Sequence, residues 1–451
     1  MSTQARALAA AAIERITESE GFSQRVLAGA LSDDALPVRD RAWVTRAVYG
    51  TLTHLERIDT VLDRLVDRGA RSLPTGLQAH LRIAVWEIAL SETRSDPAPL
   101  VSAAVEAIKR DGHPRSAGLA NAVLRRMLRE REIVLRPPKR YDATSRMGWE
   151  LGLPGWMAEA LVARLGGLEP AEEAARGFVE PAPVGFRVRN GDRDAVIAEL
   201  AEAGLEVEPH PFAPDGGLCS RGNLAATAAH TDRRIVIQDP GAQLAIAALP
   251  PAESPRILDV ASGIGGKTLA LRDRYPNADV LAIDAHAGKL AHLSARPELA
   301  GVRTAKWSVG QEPPPASLSA EAAFDIVVVD APCTALGTIG RHPEVRWNRE
   351  PEDIDAMCAT QRAMLEAVTP FVARGGTLLY VVCTWTPEES SSVVDAFLAS
   401  HPDFVRSVPG AQSADPRVAW DGLVDERGVV SLWPHTTRTD GFTFARFQRE
   451  R

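Results

Sequence analysis

Two cysteines follow apolar runs that read as buried core strands. DIVVVDAP runs into Cys333, and GTLLYVV runs into Cys383. A lone free cysteine is most often a small buried hydrophobe. Two of them, each just past the carboxyl end of a core strand, would face one pocket, because ligands of open α/β sheets sit beyond those ends. A thiolate placed there is a covalent nucleophile. Asp330 stands just ahead of Cys333. Its carboxyl group can hydrogen-bond or protonate a ring nitrogen.

A glycine loop follows an earlier strand, RILDVA, as Ser262-Gly263-Ile264-Gly265-Gly266-Lys267-Thr268. Glycines let the backbone turn tightly and approach a ligand at a helix start. Two chemistries compete for it. Gly266-Lys267-Thr268 matches the end of a phosphate loop, but Ala261 stands where that loop needs its first glycine. Asp259, Gly263 and Gly265 instead follow the D-x-x-x-G-x-G rhythm of an S-adenosylmethionine (SAM) loop. The next strand, DVLAID, ends in Asp284, where a ribose diol needs a carboxylate. A nucleotide triphosphatase has no such need there, so the loop reads as a SAM site. Joined to the cysteines, this suits methylation of cytosine carbon 5. Thiolate addition at carbon 6 makes carbon 5 nucleophilic toward the SAM methyl, and a second thiol can assist release.

The elements that must carry these residues follow from pattern. The apolar strands after Arg234 alternate with helical segments, which implies a doubly wound parallel sheet in a Rossmann-like α/β domain over 230–451. From Ala5 to about Arg131 apolar residues recur at helical spacing, and the loops carry Pro37, Pro74, Pro97 and Pro114. This is an all-α bundle, bounded near 140 after Pro137-Pro138. Between them, over 141–229, VGFRVRN and LEVEPH read as strands around the helix DAVIAELAEAG, a small α+β linker subdomain. Basic residues cluster at Arg125, Arg126, Arg129, Arg131, Arg136, Lys139, Arg140 and Arg146. They form either a solvated face or a phosphate-contacting surface.

The 451-residue chain is 45% hydrophobic and 24% charged, with net charge -8. That fits a soluble globular protein of several domains and excludes a long apolar span. Its four cysteines form no CxxC pair and no cluster with zinc spacing. No metal site is expected. The N-terminus reads as a helix rather than an export signal, so reduced thiols in a cytoplasm are expected. No oligomer is implied.

QDPGAQ at 238–243, the Gly-Gly-Lys-Thr loop, DAPC at 330–333, RHPEVRW at 341–347, CTWTPEES at 383–390 and TDGFTFARF at 439–447 together resemble the RsmB/Sun (Fmu) family of ribosomal RNA cytosine-5 methyltransferases. VTRAVYGTL and AGLANAVLRR resemble the NusB-like RNA-binding domain fused to that family. The resemblance spans nearly the whole chain. It implies a class I SAM methyltransferase acting on RNA, with small-subunit (16S) ribosomal RNA as the substrate. Cys383 matches the nucleophile, Cys333 the release cysteine, and Asp330 the acid near cytosine and SAM. Lys267 matches the loop lysine and Asp284 the ribose acid. The SAM-contacting stretch then comprises Ala261, Ser262, Gly263, Ile264, Gly265, Gly266 and Lys267, with Asp284, Val309 and Asp330. The chain departs from the family in several places. Ser262-Gly263-Ile264 replaces Ala-Ala-Pro, and Val309 replaces the carboxylate near the adenine. Val382 stands for Thr, Ser390 for Asn, and Arg189 for the Asn of Arg-Val-Asn. Two other readings stay open: a paralogue that binds RNA or SAM without methylating, and a methyltransferase retargeted to another substrate.

Overall fold

The computed structural model describes residues 1–19, 21–31, 36–91, 96–316, 318, 323–410 and 413–450. The chain divides into two compact units. One is Met1–Val179 with Ile339–Arg349, and the other is Glu180–Thr338 with Glu350–Arg451.

The first unit is helical. Its helices include Thr3–Ser19, Val38–Thr53, Leu55–Leu65, Thr75–Val85, Pro97–Arg110 and Ala117–Arg129. Pro37 and Pro74 immediately precede helices and Pro97 opens one. A missing N–H costs nothing at a helix start. Their apolar stripes bury Ile13, Val44 and Val48 in one cluster and Leu62, Leu81 and Leu124 in another. Helices Ala143–Leu151, Gly155–Leu165 and Leu168–Val179 continue the unit past the 140/141 boundary expected from sequence. Arg125, Arg129, Arg131, Arg136, Lys139, Arg140 and Arg146 are exposed, whereas Arg126 pairs with Glu130 at 3.1 Å.

Ile339–Arg349 is built into this unit although it follows Asp330–Thr338 of the other. Arg346 is fully buried and donates to the carbonyls of Ile339 and, at 2.9 Å, Phe178. Burial drops its pKa to about 9, against a smaller opposing pull from Glu344. Glu344, also buried, accepts the Ser23 N–H at 2.9 Å. The Trp347 indole donates to the Leu52 carbonyl.

The second unit holds two sheets. The small one comprises β1 (Val184–Val188), β2 (Glu206–Pro209), β3 (Gly216–Arg221) and β4 (Ile235–Ile237), in the order β2-β3-β1-β4, all antiparallel. β4 carries it past the 229/230 boundary read from sequence. The large sheet comprises β5 (Arg256–Val260), β6 (Asp279–Asp284), β7 (Arg303–Lys306), β8 (Phe324–Asp330), β9 (Val372–Val382), β10 (Phe404–Arg406), β11 (Val429–Leu432) and β12 (Phe442–Arg449). Its order is β10-β12-β9-β8-β5-β6-β7, with β11 beside β12. β5 to β9 are parallel, but β12 runs antiparallel to β9, β10 and β11. The sheet is therefore mixed: parallel from β5 to β9, as expected for the doubly wound part, and antiparallel at β12.

Alternation explains why both faces are apolar. Leu258, Val260, Val327, Val329, Leu378 and Tyr380 enter one cluster, while Ile257, Ile326, Val328, Leu379 and Val381 enter the other. Each such side chain contributes about 1.5–3 kcal/mol on full burial. Strand neighbours diverge at β5, towards β6 on one side and β8 on the other. In open α/β sheets ligands bind at such a switch point, beyond the carboxyl ends of the strands.

Candidate active site

The loop after β5 is set by its backbone. Ala261, Gly263 and Gly265 have φ of 58°, 58° and 87°. A Cβ on Gly265 would meet Leu299 at 2.6 Å, so glycine is needed for both conformation and space. The helix Gly266–Arg274 then begins. Thr268 is buried and gives its hydroxyl to Asp259 Oδ2 at 2.5 Å. A phosphate loop would spend that hydroxyl on a metal ion, so the geometry speaks against that reading. Asp259 is wholly buried, and burial lifts its pKa to about 7 against the Thr268 hydrogen bond.

Asp284 ends β6 and is buried. Its oxygens accept the N–H of Gly263 at 3.0 Å and of His286 at 2.8 Å. Ser262 Oγ and Asp259 Oδ1 are buried without a hydrogen-bond partner among the described residues. Orphaned polar atoms beside an acid-anchored glycine loop fit a polar ligand such as SAM. Ile264 is exposed, while Val309 lies just beyond β7 and is buried in the core cluster with Trp307 and Phe371. The structure thus groups Ala261 to Gly266 with Asp284, and puts an apolar side chain at Val309.

Lys267 and Asp330 meet across the crevice, Nζ to Oδ2 at 2.7 Å, and the ammonium lies 5.5 Å from the Phe442 ring centroid. Burial pulls the Lys267 pKa down, but Asp330, Cys383 and Asp259 outweigh it, and the net shift is upward. Cys333 and Cys383 are both partly buried, with sulfurs 3.3 Å apart. The hydrogen bond with Cys383, then burial, then the Cys383 and Glu389 charges push the Cys333 thiol well up.

Groups to which sequence reasoning gave no role in the site hold this arrangement. Glu389 is fully buried beneath the cysteine loops. Phe442 flanks Lys267. Arg187 and Arg189 clamp Asp273 of the glycine-loop helix at 2.7 and 2.9 Å. Burial alone would raise Asp273, but the two guanidinium groups hold it below its usual value. The Arg-Val-Arg spacing, which puts Arg187 in β1 and Arg189 two residues on, just past its end, was the available signal for that clamp. Among the described residues no group of three or more His, Cys, Asp or Glu is placed to hold a metal ion, and no helix is long and apolar enough to cross a membrane.

A mixed sheet of this order, with a glycine loop after one strand and a buried acid ending the next, defines a Rossmann-like methyltransferase domain that follows a helical one in the sequence. A family model described as 16S rRNA methyltransferase RsmB/F matches residues 246–448, and one described as the NusB family matches residues 3–129. The chain is 30% identical to ribosomal RNA small subunit methyltransferase B of Salmonella arizonae, over 98% of this chain and 97% of that one. It is 27% identical to a probable ribosomal RNA small subunit methyltransferase B of Bacillus subtilis, over the same shares. The crystal structure of PH0851 superposes with a TM-score of 0.78 at 24% identity, covering 100% of this chain and 99% of that one. That of NSun6 from Pyrococcus horikoshii with SFG superposes at 0.53 and 18%, covering 65% and 97%. The chain belongs to the RsmB/F family of methyltransferases, with an N-terminal NusB domain.

Proposed function

We propose that the protein methylates carbon 5 of a cytosine in small-subunit (16S) ribosomal RNA in the cytoplasm, with Cys383 as nucleophile. The observation that carries this reading is the 3.3 Å pairing of Cys333 and Cys383 at the carboxyl edge of the sheet, beside the Lys267–Asp330 ion pair. SAM, when bound, supplies an electrophilic methyl group. Its holders are the backbone from Ala261 to Gly266, Asp284 for the ribose diol, Val309 at the adenine, and Lys267 with Asp330 at the reacting end.

The Cys383 sulfur, as thiolate, forms a bond to cytosine carbon 6. Electron density moves to carbon 5, while the Lys267–Asp330 pair holds the polar edge of the ring and supplies the proton that N3 takes up. After methylation the carbon 5 proton passes to solvent, N3 gives up its proton, and the carbon 6–sulfur bond breaks. Cys333, holding its proton, gives it to the departing Cys383 sulfur. The exposed basic residues from Arg125 to Arg146 supply RNA phosphate contacts.

The test is methyl transfer to unmodified 16S RNA, with the product mapped by bisulfite sequencing. Cys383→Ala is expected to abolish product, and Cys333→Ala to accumulate a covalent protein–RNA adduct. Full activity of the Cys383 variant would sink the mechanism.

A further inference from the structure

Glu389 is wholly buried, yet no step above uses it. It lies in the turn Glu388–Ser392, just beyond the loop that follows β9. Its Oε1 accepts the backbone N–H of Thr334 at 2.8 Å and the side-chain amide of Gln361 at 3.0 Å. Its Oε2 accepts the hydroxyl of Thr334, and that of Thr386 at 3.0 Å. Thr334 directly follows Cys333, and Thr386 stands three residues after Cys383. One carboxylate therefore grips both cysteine loops. Other bonds close the frame around it. Gln361 also donates to the Pro332 carbonyl at 3.0 Å, the Thr334 and Thr384 hydroxyls meet at 3.1 Å, and Tyr380 donates to the Glu389 carbonyl at 2.7 Å.

Core packing alone has no need of an acid here. A buried carboxylate must have its acceptor sites filled or it costs stability. Among the described residues, the donors to these two oxygens come from the cysteine loops or from Gln361, which itself holds the Cys333 loop. Sheet pairing fixes β8 against β9, but it ends at Asp330 and Val381. Beyond that point both chains leave the ladder, and the sulfur–sulfur distance depends on what ties one loop to the other.

We infer that Glu389 is a positioning residue whose carboxylate locks the Cys333 and Cys383 loops in register, so that the release thiol lies against the nucleophile. The inference rests on the roles proposed above for the two cysteines, but its first test does not involve RNA. Phenylarsine oxide bridges two thiols held at this spacing: two arsenic–sulfur bonds form, the arsenic–oxygen bond breaks, and the oxygen leaves as water with both thiol protons. The rate of that bridging, followed by mass spectrometry on the full-length protein, reports the register directly.

Glu389→Ala is expected to slow bridging by about tenfold or more, since four hydrogen bonds go at once. In the methyl-transfer assay it is expected to lower kcat without raising KM for RNA, and to accumulate the covalent adduct as Cys333→Ala does. Should that variant fail to fold, Thr334→Val decides. It keeps the side-chain shape and the N–H, loses only the hydroxyl, and is expected to slow bridging by about threefold. Wild-type bridging rates in a folded Glu389→Ala, or in Thr334→Val when that variant decides, overturn the inference. Slowed bridging in a protein whose wild type transfers no methyl group to RNA would keep the register role and overturn the cytosine reading instead.

Discussion

The proposed site rests on a few side chains whose charges are balanced locally. Lys267 is raised despite its burial because Asp330 sits 2.7 Å away. Removing the lysine leaves Asp330 without its counter-ion in the proposed site. Lys267→Met is expected to lower kcat/KM for methyl transfer by about a hundredfold, as loss of one preorganised charge does. Thermal melting should move little, since the methionine stem can still pack on Phe442. A variant that keeps wild-type turnover would remove Lys267 from the proposed mechanism. The cysteines were legible in sequence because each follows an unmistakable apolar strand. Glu389 was not, because its partner Thr334 lies 55 positions away and only folding reveals the contact.

Close backbone approach decides matters at the level of loops and strands. The Gly337 N–H donates to the Cys383 carbonyl at 3.0 Å, and the Gly337 carbonyl accepts the Gly441 N–H at 2.7 Å. A Cβ there would stand 1.9 Å from the Gly441 oxygen, and backbone cannot swing aside as a side chain can. Gly337→Ala is expected to cost about 1–3 kcal/mol and to lower the denaturation midpoint of this unit. The approach to β12 carries a pH dependence as well. His210 Nδ1 accepts the N–H groups of Phe212 and Ala213, and Nε2 donates to the Thr437 carbonyl at 2.9 Å. Burial foremost, against those carbonyl bonds, lowers its pKa from 6.5 to about 4. The folded value lies below the unfolded one. The stability this histidine contributes is therefore present above pH 6.5 and is lost as pH falls towards 4, on the order of 3 kcal/mol in all. Melting followed across that window should fall with acidification in the wild type and less steeply in His210→Gln. Equal slopes would show that protons bind elsewhere. The parallel strands were readable from their apolar runs, but the antiparallel β12 was not, since pairing direction is a property of neighbours rather than of one segment.

For the whole molecule, the informative fact is that the helical unit is discontinuous in sequence. Ile339–Arg349 completes it from between two elements of the other unit. A fragment spanning Met1–Val179 lacks the partners of Ser23, Phe178 and Leu52. It is expected to melt below the full-length protein's helical transition and to exchange its amides faster around those residues. Arg346→Met in the intact chain should cost about 2–4 kcal/mol, because two carbonyls lose a buried donor. Circular dichroism on both would check this, and a fragment as stable as the intact unit would contradict it. By itself, the sequence determined the order of a helical part, a small sheet and a Rossmann-like part. It also marked the glycine loop, the acid after the next strand and the two cysteines, because these depend on local periodicity and on residues adjacent to strand ends. It placed boundaries at 140/141 and 229/230, where composition changes. Only the tertiary structure decided that helices run on to Val179, that 339–349 returns to them, and that Glu389 and Arg346 are buried. Those outcomes depend on which distant groups fill a buried donor or acceptor, and a linear pattern carries no record of that.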